Sequence, residues 1–252
     1  MRKEWFAVAE NIRIARDVWR IRLSGDTDEI TAPGQFVNVR TGGYYLRRPI
    51  SVCDWDKGTL TLIYKVVGGG TEWLSERKSG EMLDVLTGLG NGFPIGACGD
   101  SPVLVGGGVG VAPICGAMDA FATAESRAFF GFRTAAHAYG MTQAPCAVIA
   151  VSDDGSLGER ALVTKPLEQA ILEKRPDLVM ACGPAPMLAA VQALCEKYAL
   201  PCQISLEERM GCGIGACLGC NVKIKTADGG WCYKRVCKDG PVFDAKEVCL
   251  NG

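Results

Sequence analysis

The first hundred residues alternate apolar and polar positions with the period of β-strands. Trp19, Ile21 and Leu23 are separated by arginines, and a similar alternation recurs from Leu60 to Tyr64. Clusters of proline and glycine mark turns at residues 32–34 and 68–70. Many short strands with such turns predict a closed antiparallel β-barrel, which we assign to residues 1–98.

After Asp100 the pattern changes to short apolar runs that alternate in part with helical segments. The predicted buried strands are Val103–Val105, Ala128–Phe132, Ala147–Val151 and Leu178–Ala181. The predicted helices are Leu162–Glu173 and Met187–Lys197. This order is typical of a parallel α/β sheet, so we predict a second domain of that class over residues 99–205.

The last segment, residues 206–252, is short and rich in cysteine. Cys212, Cys217 and Cys220 have the C-x4-C-x2-C spacing of plant-type 2Fe-2S ligands, and both Cys232 and Cys237 follow at workable distances for a fourth ligand. Glycine and alanine fill most positions between the first three, which lets backbone N–H groups approach the sulfurs. The segment is therefore predicted to be a 2Fe-2S domain held together mainly by its cluster.

Two other uses of these cysteines fit the sequence less well. A structural zinc site takes a short cysteine pair in each half, and only the first half offers one here. A disulfide framework fits poorly with an odd total of thirteen cysteines and with an N-terminus, Met1–Phe6, that lacks an apolar signal region. The reducing cytoplasm is the expected compartment, where most of the remaining cysteines serve as core thiols.

Overall charge and hydropathy exclude several classes of partner. The 252 residues carry a formal net charge of -1, so the chain has no basic field for nucleic acid. The longest weakly polar stretch, Pro102–Met118, is interrupted by glycines and a proline and is a poor membrane span. We therefore expect neither nucleic acid nor a membrane as a partner.

A glycine-rich turn follows the first strand of the predicted α/β domain. The sequence Val103-Leu-Val-Gly-Gly-Gly-Val-Gly-Val-Ala-Pro113 runs from a strand into a predicted helix start, where backbone N–H groups favour a pyrophosphate. The spacing departs from G-x-G-x-x-G, and alone it also fits a tight strand-to-helix connection. The next strand ends at Arg133 without a carboxylate for the ribose, so the choice between NAD and NADP stays open.

A third motif lies in the predicted barrel. Leu46-Arg-Arg-Pro-Ile-Ser-Val52 offers arginines that can pair with a diphosphate and a serine that can hydrogen-bond a flavin edge, and Gly68-Gly-Gly-Thr71 follows one strand later. Alone, each could be a surface arginine or an ordinary turn.

Taken in order, these motifs resemble the ferredoxin-NADP reductase-like flavoproteins, and among them the electron-transfer subunits of NAD-dependent dihydroorotate dehydrogenases. The resemblance spans nearly the whole chain. It is carried by Pro33–Val37, Arg48–Ser51, Gly70–Thr71, Gly88–Pro94, Gly106–Pro113, Cys182–Pro184, the cysteine motif and Asp239–Phe243. Wider reductases have an aromatic residue where this chain has Ile50, and the Arg-Pro-Ile-Ser form is the one expected in the dihydroorotate subgroup.

The resemblance implies three cofactor sites. FAD binding is assigned to Arg48, Pro49, Ile50, Ser51, Ile63, Tyr64, Lys65, Gly70 and Thr71, with Arg48 on the diphosphate and Ser51 near the reactive nitrogen. NAD binding is assigned to Gly107, Gly108, Val109, Gly110, Pro113, Cys182, Gly183 and Pro184, of which Cys182, like Ser51, is a possible flavin or nicotinamide contact. The cluster ligands are Cys212, Cys217, Cys220 and Cys237, because the family's last cysteine directly precedes the Asp239–Phe243 motif.

The resemblance also implies a function and a partner. Nicotinamide exchanges two electrons and a cluster exchanges one, so FAD is expected between them, and no general acid or base is required. The only histidine, His137, is expected to be a surface residue. The expected partner is an FMN-containing catalytic subunit that oxidises dihydroorotate, in a heterotetramer of two of each subunit with the cluster segment at their interface. Alternatives are a subunit of another NAD(P)-linked complex, such as a sulfide dehydrogenase or a bifurcating transhydrogenase, and a non-enzymatic zinc module.

Overall fold

A computed structural model of the chain describes residues 1–94, 98–142 and 144–250. The N-terminal part is a closed antiparallel barrel with one short helix, α1 (Gly69–Ser75). Its strands are β1 (Arg2–Ala15), β2 (Val18–Ser24), β3 (Phe36–Val39), β4 (Arg48–Asp56), β5 (Thr59–Lys65) and β6 (Met82–Leu89). Around the barrel they follow the order β1-β2-β5-β4-β3-β6, which leaves no free sheet edge.

The predicted alternation is confirmed, because the apolar positions of β2 and β5 face the barrel interior. Ile21 and Leu23 are fully buried, as are Leu60 and Leu62 on the paired strand. Burial of each such side chain stabilises the fold by roughly 1.5–3 kcal/mol. Phe6 of β1 packs in the same core.

The second part is a parallel α/β sheet, as predicted. Its strands are β7 (Val103–Gly107), β8 (Arg127–Phe132), β9 (Ala147–Ser152), β10 (Val179–Cys182) and β11 (Cys202–Ser205). Its helices are α2 (Val111–Phe121), α3 (Thr164–Glu173) and α4 (Ala185–Lys197). The predicted strands and helices are all present with small shifts at their ends, and β11 is a strand that the apolar pattern did not indicate.

The last segment is divided between the cluster region and the α/β sheet. It contains an antiparallel hairpin of β12 (Asn221–Lys225) and β13 (Trp231–Arg235), the short helix α5 (Val236–Asp239) and β14 (Val242–Asp244). Strand β14 pairs antiparallel with β11 and completes a sheet of order β14-β11-β10-β7-β8-β9. The chain thus returns to the α/β sheet after the cysteine loop.

The barrel and the α/β sheet pack against each other at helix α2. Helix α2 lies against β4, and a Cβ added at Gly116 would stand 2.4 Å from the carbonyl oxygen of Cys53. Ile63 of the barrel belongs to the same buried cluster as Val111 and Ile114 of α2. This contact brings the Arg48–Ser51 motif of β4 and the glycine-rich turn before α2 to the same region.

None of the helices within the described ranges has the length and apolar character that a bilayer crossing requires. Part of the weakly polar stretch Pro102–Met118 forms β7 and the start of α2, and both elements are buried in the α/β domain.

Candidate functional site

The four predicted ligand cysteines come together around the loop between β11 and β12. Cys212, Cys217 and Cys220 lie on this loop, and Cys237 reaches it from α5. Hydrogen bonds connect them in two pairs: the Cys212 N–H points to Cys217 Sγ (3.4 Å), and the Cys237 N–H points to Cys220 Sγ (3.4 Å). The first pair is open to solvent or partly so, whereas Cys220 and Cys237 are buried.

Backbone N–H groups surround the sulfurs. The Sγ atom of Cys212 accepts from Ile214, Ala216 and Cys217 at 3.3–3.4 Å, and that of Cys237 accepts from Gly215 at 3.1 Å. The loop reaches this arrangement through Gly213 and Gly215, which have φ angles of +70° and +83°. Such donors stabilise thiolate sulfur and are typical of iron–sulfur sites.

The thiols have pKa values that differ between the two pairs. Partial burial raises the pKa of Cys212, but hydrogen bonds from the Ile214 and Cys217 backbones outweigh it and lower the pKa to about 6. Burial and the adjacent Cys220 thiol raise the pKa of Cys237 to about 12. Metal ligation requires the thiolate, so loading of this second pair must displace protons.

The pairing of the four thiols fits a two-iron cluster. Four thiolates bind a 2Fe-2S cluster, two at each iron, and the thiols here fall into two such pairs. Cys232 lies instead on β13 opposite Ile224, at the edge of the core.

A cavity of about 330 Å³ lies beside the barrel. All of the predicted FAD residues except Gly70 line it: Arg48, Pro49, Ile50, Ser51, Ile63, Tyr64, Lys65 and Thr71. Gly70 lies under the Arg48 guanidinium, where a Cβ would stand 2.2 Å from Nε. Arg48 and Lys65 supply the positive charge that a diphosphate requires, so the cavity fits the cofactor that the motif indicated.

Two residues of this cavity are held by local contacts. The Arg48 guanidinium lies 5.0 Å from the centre of the Tyr44 ring and donates a hydrogen bond to the Leu46 carbonyl (2.6 Å). The Tyr64 ring belongs to the barrel core, where its hydroxyl donates to Asn11 Oδ1 (3.1 Å) and burial raises its pKa. These contacts hold Arg48 at the cavity that it lines, whereas the Tyr64 side chain is engaged within the barrel.

The opposite wall of the flavin cavity was not foreseen from the sequence. It includes Glu207, Glu208 and Met210, which precede Cys212 on the cysteine loop. The residue Glu207 is exposed where it faces the cavity. Neighbouring protein atoms nevertheless surround its carboxyl group, and this burial raises the pKa of that group. No local signal marks these residues, but the wall they form places the flavin cavity directly beside the cluster loop.

A second cavity, of about 420 Å³, opens over the glycine-rich turn. Of the predicted NAD residues, Gly107, Gly108, Val109 and Pro184 line it. The remaining ones do not line it: Gly110 ends the turn, Pro113 lies in α2, and Cys182 and Gly183 lie at the end of β10. Lys65 and Val109 border both this cavity and the flavin cavity, so the two are contiguous.

The turn itself is held close to β10. A Cβ at Gly110 would stand 2.4 Å from the Cys182 carbonyl oxygen, which explains the glycine. The Cys182 side chain is buried, and this burial raises its pKa. Cys182 therefore supports the turn, and its side chain does not line the cavity.

A buried tyrosine braces the turn from the other side. The Tyr139 hydroxyl lies 3.1 Å from the carbonyl oxygens of Gly108 and Val109, and its ring packs against Phe132 with centroids 5.8 Å apart. His137, expected at the surface, is half-buried and lines the cavity, with Nδ1 2.8 Å from the Thr134 hydroxyl. Burial and then Lys65 lower the pKa of His137.

Matches to known proteins cover the same segments. The family model described as the iron-sulfur cluster binding domain of dihydroorotate dehydrogenase B matches residues 207–249, and an oxidoreductase NAD-binding domain matches residues 104–193. The cofactor set of FAD, a 2Fe-2S cluster and NAD is therefore supported, and the first match gives no support to a zinc module.

Curated relatives match over nearly the full chain. An electron transfer subunit of dihydroorotate dehydrogenase B (NAD(+)) from Caldanaerobacter subterraneus subsp. tengcongensis is 40% identical over 242 residues, 96% of each chain. The protein of the same name from Bacillus caldolyticus is 39% identical over 267 residues, 98% of this chain and 99% of its own.

Solved structures show the same architecture. An NADH-dependent reduced ferredoxin-NADP oxidoreductase, from work on flavin-based electron bifurcation, superposes with a TM-score of 0.85 at 28% identity, covering 98% of this chain and 90% of its own. A phthalate dioxygenase reductase shares the fold, with a TM-score of 0.64 at 18% identity over 92% and 76% of the two chains. The resemblance predicted from the motifs is confirmed: the chain belongs to the family of electron transfer subunits of dihydroorotate dehydrogenase B (NAD(+)).

Proposed function

We propose that this chain carries electrons between a catalytic subunit that oxidises dihydroorotate to orotate and NAD, as one step of pyrimidine biosynthesis. The observation that carries the proposal is the continuity of the three sites. Met210 connects the cysteine loop to the flavin cavity, and Lys65 and Val109 connect that cavity to the nucleotide cavity. When bound between the other two, FAD exchanges a hydride with nicotinamide and single electrons with a cluster.

The residues have distinct tasks in this proposal. Arg48 and Lys65 hold the FAD diphosphate, and Ser51 hydrogen-bonds the flavin edge. The N–H groups of the glycine-rich turn and of the first turn of α2 hold the NAD pyrophosphate. Cys212, Cys217, Cys220 and Cys237 hold the cluster. No residue is assigned as an acid or base, because hydride transfer to a flavin places no such demand on the chain.

The catalytic partner is required, because an electron transfer subunit supplies only part of the reaction. We propose that the partner contains FMN and that two copies of each subunit assemble. Exposed apolar residues near the thiols support an interface at the cysteine loop: Leu218 is 58% exposed beside Cys217, and Ile214 is 42% exposed. We also propose a cytoplasmic location, which the free state of the thirteen cysteines supports.

A second candidate partner is the catalytic subunit of another NAD(P)-linked complex. The bifurcating oxidoreductase with a TM-score of 0.85 favours this alternative. The identities of about 40% to dihydroorotate dehydrogenase subunits favour the first. Identification of the protein that co-purifies with this chain separates the two candidates.

The purified chain, loaded with both cofactors under anaerobic conditions, tests the proposal. We expect NADH oxidation with ferricyanide in the absence of any partner, and dihydroorotate oxidation only after the catalytic subunit is added. Preparations that bind FAD and iron but never reduce ferricyanide with NADH would contradict the proposed electron path. Dihydroorotate oxidation by the chain alone would contradict the need for a partner.

A further inference from the structure

The residue at the centre of the cysteine loop, Gly215, is linked to both thiol pairs. Its own N–H donates to Cys237 Sγ (3.1 Å), and the N–H of the next residue, Ala216, donates to Cys212 Sγ (3.3 Å). Cys212 belongs to one pair and Cys237 to the other. The Gly215 carbonyl and the Ala216 N–H form one planar peptide unit, so a group bound at that carbonyl acts on a ligand sulfur.

A guanidinium is bound at this carbonyl. Arg235 is the last residue of β13, and its Nη1 donates to the Gly215 oxygen (2.9 Å). A hydrogen bond accepted at a carbonyl polarises the peptide unit and strengthens the bond that its N–H donates. The charge of Arg235 therefore acts on Cys212 Sγ through a series of two hydrogen bonds.

Asp239 fixes the Arg235 side chain in this position. Its Oδ2 accepts from Arg235 Nε (3.1 Å) and from the Arg235 backbone N–H (2.8 Å), and its Oδ1 accepts from Nη2 (3.4 Å). The Arg235 side chain is 28% exposed, so much of the guanidinium is shielded from solvent. With Nε and Nη2 held by the carboxylate, Nη1 is oriented towards the loop.

A second cation, Lys238, lies near the same glycine. A Cβ added at Gly215 would stand 2.6 Å from Lys238 Cδ, so the lysine stem packs on the loop. Lys238 is an exposed residue, however, and water and salt screen the charge of an exposed ammonium. The two cations thus carry the same charge in different surroundings, and Lys238 offers a matched comparison for Arg235.

We propose that Arg235 raises the reduction potential of the cluster, an inference that rests on the proposed function. Reduction adds one negative charge to a cluster, and both a nearby cation and hydrogen bonds to the sulfurs favour the reduced form. A higher potential favours acceptance of electrons from the catalytic partner. Arg235 acts through the Gly215–Ala216 peptide, so it is a positioning residue and not a ligand.

A redox titration of the chain loaded with FAD and cluster tests the inference. Dithionite supplies the electrons, and the EPR signal of the reduced cluster reports the midpoint potential. In Arg235→Gln, we expect the equilibrium between the two forms to move roughly tenfold towards the oxidised cluster, a lowering of about 59 mV for one electron. In Lys238→Gln, which removes the same charge, the equilibrium should stay within about twofold of that of the unmodified chain.

A conservative variant keeps the test decisive. Arg235→Lys retains the charge but loses the planar fork of donors, and we expect a shift of roughly threefold in the same direction. Iron content and visible absorbance report whether each variant holds the cluster. Arg235→Lys carries the test if Arg235→Gln loses its iron. Loss of iron from both variants would assign Arg235 to cluster retention and overturn the inference.

A double variant separates the guanidinium from its carboxylate partner. Arg235→Gln leaves Asp239 unpaired, and that negative charge would by itself lower the potential. Combining Arg235→Gln with Asp239→Asn restores the net charge of the pair. Because the polarised peptide is still lost, we expect the lower potential to persist in the double variant.

An unchanged potential in Arg235→Gln, an equal shift in Lys238→Gln, or full recovery in the double variant overturns the inference. The proposed function stands in each of these cases if the unmodified chain reduces ferricyanide with NADH. An unmodified chain that never does so contradicts the proposed function instead, whatever the potentials of the variants.

Discussion

The cysteine loop and the two nucleotide cavities differ in how much regular secondary structure supports them. The two cavities are bordered largely by the ends of strands and helices whose apolar sides are buried, such as β4, β5 and the turn before α2. The loop from Leu206 to Cys220 has no helix or strand, and its thiols Cys212 and Cys217 are not fully buried. The difference teaches that the walls supplied by strands and helices are formed before a nucleotide binds, whereas the cysteine loop depends on its cluster for order.

A hydrogen bond holds the cysteine loop against the barrel. Asn38 of the barrel is buried and donates from Nδ2 to the Cys212 carbonyl (3.3 Å), and a Cβ at Gly213 would stand 2.4 Å from that Nδ2. On the other side, Arg235 donates to the Gly215 carbonyl (2.9 Å) and pairs with Asp239. These bonds orient the loop, but they are few compared with the core contacts of the barrel.

Removal of iron should therefore have the largest effect on the structure, and that effect should be confined to the cysteine loop. After chelation, we expect limited proteolysis to cut within residues 206–221 while the barrel stays intact, because a metal site without its metal loses the free energy that ordered it. Mass spectrometry of the fragments locates the cuts. Chelated chain that resists cleavage as well as the loaded chain does would show that the loop is ordered without its cluster.

Single cysteine replacements test which thiols of the last segment hold the cluster. Cys237→Ser should lose most of the visible cluster absorbance and bound iron, because the Cys220–Cys237 pair loses one of its two sulfurs. Cys232→Ser is the matched control and should keep both, since Cys232 lies on β13 opposite Ile224. The reverse result, with absorbance lost only in Cys232→Ser, would show that the fourth ligand is Cys232.

On the cavity side, replacement of one arginine should weaken the binding of FAD without disturbing the fold. Arg48→Gln is expected to raise the Kd of FAD by roughly 10- to 100-fold, which corresponds to loss of a charge-assisted hydrogen bond. Fluorescence titration of the FAD-free chain measures it, and the thermal midpoint of that chain should hardly move. Arg48→Lys should recover part of the affinity, and equal affinities for all three chains would exclude a diphosphate role for Arg48.

The smallest effect is expected from removal of the Tyr139 hydroxyl, which supports the glycine-rich turn. Tyr139→Phe keeps the packing on Phe132 and loses only the hydroxyl that contacts the Gly108 and Val109 carbonyls. We expect the KM for NADH to rise by about three- to tenfold with kcat within about twofold, because loss of one hydrogen bond loosens the turn in all bound states. Tyr198→Phe, whose hydroxyl bonds Glu168 far from the turn, is the control. A fall in kcat with unchanged KM would contradict a positioning role.

The candidate site was predictable from the sequence where its residues follow one another. Arg48–Ser51 and Gly107–Val109 line the cavities because short motifs carry their own backbone geometry. Residues contributed from elsewhere were not predictable in this way. Met210 on the flavin wall and Asp153 in the nucleotide cavity carry no local pattern, and their positions depend on how distant strands are ordered.

The amino-acid sequence by itself determined the alternation that closes the barrel, the apolar runs of the parallel sheet and the cysteine spacing. Each is a local property, set by side-chain periodicity or by a few consecutive residues. Tertiary structure alone decided that β14 returns to the sheet, that the cysteine loop forms one wall of the flavin cavity, and that Arg133 and Asp153 both line the nucleotide cavity. These contacts join segments far apart in the chain, and the packing of α2 on β4 and the strand order of the sheet bring them together.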